Sequence, residues 1–377
     1  PDCLDAEAQR ALIDPLGVIS IPDLPKALSQ AASQGKGGGP IGRLIAAMTG
    51  PSKLSVHEFI YYRLFDPTLP KPEIKRFLSQ KMRHQQTLAL NDPAGRAATF
   101  DKVLWDQQMV DAGLPHPAIR AVFGGTREPA QGRMLETRAD LAGFLTEPGN
   151  LPLLAKPNFG GRSLGVFRID SVEGDALRLH DGSLRPIDEV ITFIDEFGTK
   201  GYIFQEVLRP DPASAALTGG AMATMRVFLL ADADGVALEN ITLKVPRSGA
   251  VADNFWRGGN MMGAIDRETG QIRRAIAGSG IGLSEPDTHP DTGTPFLGWQ
   301  LPDFPALQEL CSRLAPAFPK LKLQGWDIAV TERGYVPIEL NFGGDVNLQQ
   351  LAHGAGAMTP AYCAHLRKHG FGGPLPD

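Results

Sequence analysis

Apolar positions change their period several times along the chain. Val56, Phe59, Ile60 and Leu64, with Arg63 among them, recur at helical spacing, and Pro72 suits the first turn of a further helix running to about Ala89. Residues 1–98 therefore read as a largely helical cap and linker. Asp101 can cap a helix whose apolar face is Val103, Leu104, Met109 and Val110, with Gly113 ending it. Strand and helix signals then alternate. Ala118 to Phe123 reads as a strand, Arg138 to Leu145 as a helix, and Leu151 to Ile169 as strand, glycine-rich turn, strand. Tyr202 to Leu208 is a further strand, and Ala223 to Leu230 and Val236 to Leu243 form a hairpin about Asp234-Gly235. Ala306 to Ala315 is a helix, and Leu348 to Lys368 a closing helical segment.

The most informative break in the apolar pattern lies between residues 324 and 347. Two apolar runs, Ile328 to Val330 and Tyr335 to Leu340, flank Glu332-Arg333-Gly334 and predict a hairpin. Glu339 and Asn341 stand two apart in the second strand and so share a face, and closure of the hairpin brings Asp327 opposite them. A carboxylate inside an otherwise apolar strand needs a partner. Three hard oxygen donors suit Mg²⁺ that keeps several waters and takes its remaining ligands from nucleotide phosphates; a solvent-facing hairpin is the plainer alternative.

Leu151 to Ile169 carries a second candidate. Lys156 leaves the first strand just before Gly160, Gly161, Arg162 and Ser163, whose backbone N–H groups can approach an anion closely. This is neither a Walker loop nor a dinucleotide fingerprint, because it joins two strands with no helix. The glycines of residues 34–42, with Lys36, have no Gly-Lys-Ser/Thr and no preceding strand, and read as a flexible linker. Arg226 is charged within an apolar strand, and a salt bridge at a strand edge is the plainer alternative to a functional role. Lys244, Arg247, Asp253, Asn254, Arg257, Gly258, Gly259 and Asn260 crowd one polar, glycine-rich segment, in which Lys244 and Arg247 are candidates for a phosphate or substrate anion. Asp345 can face an acceptor or cap the last helical segment.

The 377 residues allow two or three domains, and 42% hydrophobic with 21% charged residues describe a globular protein. A net charge of -5 argues against a general nucleic-acid or anionic-membrane binder. Cys3, Cys311 and Cys363 are widely separated and lack metal-type spacing, which fits a reducing compartment. No run approaches 18 apolar residues and the acidic start lacks a signal-peptide pattern, so a cytoplasmic location is expected. Homodimerisation stays open.

Taken in order, Asp101-Lys102, Lys156 with its glycine loop, Gln205-Glu206-Val207-Leu208, and Asp327 with Glu339-x-Asn341 resemble the ATP-grasp superfamily. Arg226, Lys244, Asp253-Asn254, Gly258-Gly259, His289 to Gly293 and Gly325-Trp326-Asp327 narrow the resemblance to the sugar-transfer-associated ATP-grasp family, related to α-L-glutamate ligases, over roughly residues 55–352. The resemblance implies an α+β ATP-grasp fold with a largely helical N-terminal cap, an N-terminal part over 99–207 with the glycine-rich lid, and a C-terminal part over 208–377. It implies ATP with Lys102 and Lys156 on its phosphates, Gly160, Gly161 and Ser163 in the lid, and Gln205 to Leu208 as adenine hinge. Asp211 is implied for the ribose, Asp327, Glu339 and Asn341 for Mg²⁺, and Arg247, Asn254, Gly259 and Asp345 for substrate. The implied chemistry is activation of a small-molecule or peptide carboxylate as an acylphosphate and its coupling to an amine, with Arg226 and Lys244 offsetting charge repulsion at the transferred phosphoryl group. A kinase acting on a hydroxyl and a nucleotide-sensing module are the alternatives. Phe342-Gly343-Gly344-Asp345 departs from the Pro-Gly type turn that commonly follows Glu-x-Asn in the family.

Overall fold

A computed structural model describes residues 39–376 apart from 162, 251, 252, 254 and 256–258, together with a few positions between 25 and 33. From residue 39 the described chain runs through α1 (Gly39–Thr49), α2 (Val56–Tyr61), the single turn α3 (Lys71–Ile74) and α4 (Gln80–Leu90). A seven-stranded sheet follows, from β1 (Ile119–Phe123), β2 (Arg133–Leu135), β3 (Leu153–Pro157), β4 (Phe167–Glu173), β5 (Ala176–Leu179), β6 (Leu184–Pro186) and β7 (Tyr202–Glu206), in the order β2-β1-β7-β3-β4-β5-β6. Its helices are α5 (Lys102–Asp111), α6 (Arg138–Thr146) and α7 (Ile187–Phe197). After the short helix α8 (Pro212–Thr218) comes a six-stranded antiparallel sheet of order β11-β10-β9-β8-β12-β13. Its strands are β8 (Thr224–Asp232), β9 (Gly235–Val245), β10 (Met261–Ile265), β11 (Ile272–Ala277), β12 (Leu323–Thr331) and β13 (Gly334–Phe342). Helices α9 (Phe304–Ala317), α10 (Val346–His353) and α11 (Pro360–Lys368) complete the described chain. None of its helices is long and apolar enough to cross a membrane.

Each sheet is covered on both faces. Leu141, Phe144 and Leu145 of α6 and Val190, Ile191 and Ile194 of α7 pack on Phe167, Leu177 and Phe204 of the first sheet. Val103 of α5 packs with Ile119, Val122 and Ile203. In the second sheet Met225, Val227, Leu243, Trp326 and Ile328 meet Leu307, Leu310 and Leu314 of α9. On its other face Met262 and Ala264 meet Phe59, Ile60 and Tyr62 of the N-terminal segment, while Phe228 and Leu230 meet Leu78, Tyr362 and Leu366. Each fully buried side chain of this kind contributes roughly 1.5–3 kcal/mol. Between these two apolar patches one rung of the sheet is polar.

The chain from β7 to β8 is stitched to the β12–β13 turn. Asp211 N–H donates to Val330 O at 3.1 Å, Glu332 N–H to Arg209 O at 3.1 Å, and the Arg333 guanidinium to the Glu206 carboxylate at 2.8 Å. The two sheets thus meet along the hinge segment.

Several expectations need correction. The helix predicted from Pro72 to Ala89 breaks after Ile74 and restarts at Gln80 with Ser79 as its cap. The cause is distant: the Gln350 amide accepts from Leu78 N–H at 2.6 Å and donates to Leu78 O at 3.0 Å, using backbone groups a helix would need. In α5 the buried face is Val103, Trp105, Asp106 and Met109, not Leu104 and Val110. The strand predicted to Leu208 stops at Glu206. The closing segment is two helices separated at Gly354, whose φ of +61° ends the first.

Candidate active site

The two sheets enclose a cleft of about 490 Å³. Lys102, Lys156, Gly160, Gly161, Ser163, Gln205, Glu206, Val207, Leu208 and Glu339, all singled out from the sequence, line it. Pro117, Leu154, Val166, Arg168, His180, Thr224, Asp253, Ala329 and Ile338 line it as well. Of these, only Asp253 carried a sequence signal; the apolar wall has the ordinary alternation of any strand.

Local structure explains how the two lysines converge. Asp101 Oδ1 caps α5 by accepting from the N–H groups of Val103 and Leu104, each at 3.1 Å, and also accepts from Asn158 Nδ2 at 3.1 Å. Asn158 Oδ1 in turn accepts from Val103 N–H at 3.1 Å. This exchange fastens the start of α5 to the loop after β3, so Lys102, the first helical residue, lies beside Lys156 near the end of that strand. Lys102 Nζ donates to the carbonyls of Asn158 at 3.2 Å and Gly160 at 3.0 Å. In the loop, a Cβ added at Gly161 would touch nothing, so packing does not demand glycine there and the backbone stays open to a ligand. Gly165 has φ +66°, and Tyr202 donates its hydroxyl hydrogen bond to the Gly165 carbonyl, which ties the loop to β7.

Burial lowers the Lys102 pKa below the ordinary value, and it pushes Lys156, also repelled by Lys102, down to about 8. Both lysines feel the Glu339 carboxylate, which itself makes no hydrogen bond or ion pair among the described residues. A paired cation site of this kind fits a polyanion such as a triphosphate.

The polar rung lies behind the cleft. Strand register aligns Thr242, Arg226, Asp327 and Glu339 across β9, β8, β12 and β13. Arg226 donates to Asp327 through Nε at 2.6 Å and Nη2 at 3.1 Å, and Lys244 Nζ lies 3.2 Å from the same carboxylate and 3.8 Å from Asp253. Thr224 donates to Asp253 through its hydroxyl. Burial opposes both charges of the Arg226–Asp327 pair. Their mutual attraction outweighs it, leaving the Arg226 pKa above its usual value and the Asp327 carboxyl well below the carboxylate range.

The arrangement reshapes the expected metal set. Asp327 is not open toward the cleft, because its two oxygens are held by Arg226 and Lys244. Glu339 still fits as a hard oxygen donor, unpaired at the cleft, and Asn341 follows it two residues on along the same strand face, with its amide oxygen as the donor it could offer. Asp211 caps the helix α8, its Oδ1 accepting from Ala213 N–H at 2.8 Å and Ser214 N–H at 3.2 Å, and is not among the residues that line the cleft. Arg247 is exposed and paired with Asp291, its aliphatic part against Gly259, so neither residue reaches the cleft. Asn254, like Arg162, Arg257 and Gly258, lies outside the described residues. Asp345 occupies the cap position of α10 without capping it, and its Oδ1 is buried and unpartnered. His289 is fully buried with Nε2 3.0 Å from Pro246 O, a structural histidine. The Gly343-Gly344 departure also has a cause. Added Cβ atoms would strike Thr87 and Phe228, and the φ values of +82° and +49° suit glycine.

Two sheets gripping a cleft lined by paired lysines and a glycine loop define an ATP-grasp fold. The chain belongs to the sugar-transfer associated ATP-grasp family, whose model matches residues 81–362. Solved structures with similarity include L-amino acid ligase from Bacillus licheniformis, at 12% identity and TM-score 0.36, covering 77% of this chain and 46% of that one. ATP-grasp ligase PsnB complexed with a minimal precursor is similar at 15% identity and TM-score 0.37, covering 74% and 64%. D-alanyl-alanine synthetase A from Vibrio cholerae is similar at 10% identity and TM-score 0.40, covering 70% and 62%. The chain thus spans 46% to 64% of the length of these three structures. Among curated proteins no match was found.

Proposed function

We propose that the chain is an ATP-dependent ligase that activates a carboxylate as an acylphosphate and couples it to an amine. The observation that carries this reading is the meeting of Lys102 and Lys156, both with lowered pKa, opposite the unpaired Glu339 carboxylate beneath a glycine loop. Val207, Leu208, Leu154, Val166 and Ile338 offer an apolar slot for the base, and the loop and lysines receive the phosphates. Mg²⁺, bound by Glu339 and Asn341, would neutralise phosphate charge. Arg226 and Lys244, both ion-paired with Asp327, hold the strand rung that carries the Glu339 carboxylate. A substrate carboxylate oxygen attacks the γ-phosphorus, the bond to the β-phosphate oxygen breaks, and ADP leaves. The amine nitrogen then attacks the acyl carbon, the carbon–oxygen bond to phosphate breaks, phosphate leaves with the electron pair, and the surplus proton passes to solvent. The substrate is a small-molecule or peptide carboxylate, and membership of the family supports nucleotide-driven ligation in general.

The test is incubation with MgATP, an amine pool and ¹⁸O-labelled carboxylic acids. Label passing from carboxylate into inorganic phosphate is expected. A phosphorylated hydroxyl compound with no label in phosphate would instead establish a kinase.

A further inference from the structure

The helices ahead of residue 81 bring side chains to the far end of the Arg226 rung. Tyr61 of α2 is 4% exposed, yet its hydroxyl has no hydrogen-bond partner. Its ring packs edge-on against Tyr62 with centroids 5.2 Å apart, and Tyr62 donates to Asn347 Oδ1 of α10 at 2.8 Å. On the same helix Gln349 is 2% exposed with neither Nε2 nor Oε1 partnered, and one turn earlier Asp345 Oδ1 is buried and unpartnered. Arg226, tied to Asp327 through Nε and Nη2, leaves Nη1 buried without a partner. Asp345 is a charge that both Tyr61 and Arg226 feel, and Gln349 follows one turn further along the same helix.

An unmade hydrogen bond at a buried polar atom is costly, so a cluster of them marks a place for a polar group from outside the chain. Charge decides which kind. The Arg226 charge is already matched by Asp327, whereas Asp345 makes no ion pair among the described residues. Tyr61 and Gln349 add two more oxygen acceptors. We propose that Asp345, Tyr61 and Gln349 form the subsite that receives the primary amino group of the acceptor, which arrives as ammonium and passes one proton to the Asp345 carboxylate before the nitrogen lone pair attacks. The inference rests on the ligase reading above and adds to it that the acceptor wall comes in part from Tyr61, outside the residues matched by the family model.

The test uses the full chain loaded with a non-hydrolysable ATP analogue and n-propylammonium as probe. Calorimetry should show binding whose Kd rises at least tenfold in Asp345→Asn and in Tyr61→Phe, and crystals soaked in the probe should place its nitrogen against Asp345 Oδ1, Tyr61 Oη and Gln349 Oε1. Tyr61→Phe should unfold at or above the wild-type midpoint, because it removes an unpartnered hydroxyl. Ordered water alone at these atoms, or unchanged probe affinity in both variants, overturns the subsite. A separate arm offers MgATP, hydroxylamine and a pool of carboxylic acids to wild type. Hydroxamate formation there keeps the ligase reading whatever the probe does, and its absence removes that reading and the subsite with it.

Discussion

Raising the pH through the titration of Lys156 should weaken ATP binding and couple it to proton uptake. In the free protein burial, and then repulsion from Lys102, hold this ammonium at a pKa of about 8. A triphosphate against it restores the charged form, and an ordinary lysine titrates near about 10.4. With that value in the complex, binding near pH 8.5 takes up about 0.7 proton and near pH 7 about 0.1, and Kd rises about 25-fold between pH 7 and 9.5. The sign follows from linkage: the free protein sheds this proton above pH 8, so a ligand that needs it bound meets fewer competent molecules as pH rises. Stability of the free protein moves oppositely. The unfolded chain keeps the proton to about pH 10.4, so folding stability grows with pH across that window. Titration calorimetry in two buffers of different ionisation enthalpy reads the uptake directly. Lys156→Met should bind ATP more weakly and lose most of the uptake. A Kd independent of pH from 7 to 9.5, with no proton exchange, would refute a phosphate contact at Lys156.

Two residues first grouped as metal ligands should part company. Asp327→Asn leaves Arg226 and Lys244 short of a buried counter-charge and should cost about 3–5 kcal/mol, seen as a lower urea midpoint. Glu339→Gln, which breaks no contact among the described residues, should keep that midpoint close to wild type and abolish turnover; a midpoint loss equal to that of Asp327→Asn would contradict the ion-pair assignment. Because the Asp327 pKa is depressed in the folded state, its contribution is present above about pH 4 and lost as pH falls through the folded value. Acid titration of Asp327→Asn should lack that component. Gly343→Ala, at φ +82° and against Thr87, should cost about 1–3 kcal/mol by thermal or urea unfolding.

The local parts of this account were legible in the residues. Period-two spacing put Glu339 and Asn341 on one face, the turn residues brought Asp327 opposite Glu339, and Asp101 announced the cap that places Lys102. What stayed hidden is non-local. The partner of Asp327 is 101 residues away on β8, and no local pattern reveals that strand register spends its carboxylate on Arg226. The same holds for Gln350, which breaks a helix 272 residues upstream. Asp211, which the resemblance implied for the ribose, is seen capping a helix whose first residue, Pro212, suits that position. By contrast α7 was readable and overlooked: Ile187, Val190, Ile191 and Ile194 repeat at helical spacing behind Asp188 and Glu189 in the first turn.

The most direct measurement is a crystal structure of the full chain with Mg²⁺ and a non-hydrolysable ATP analogue. The account predicts the triphosphate between Lys102 and Lys156, the base against Val207 and Leu208, and Glu339 facing the metal at the phosphates. A nucleotide bound elsewhere, with those two ammonium groups still free of phosphate, would contradict it.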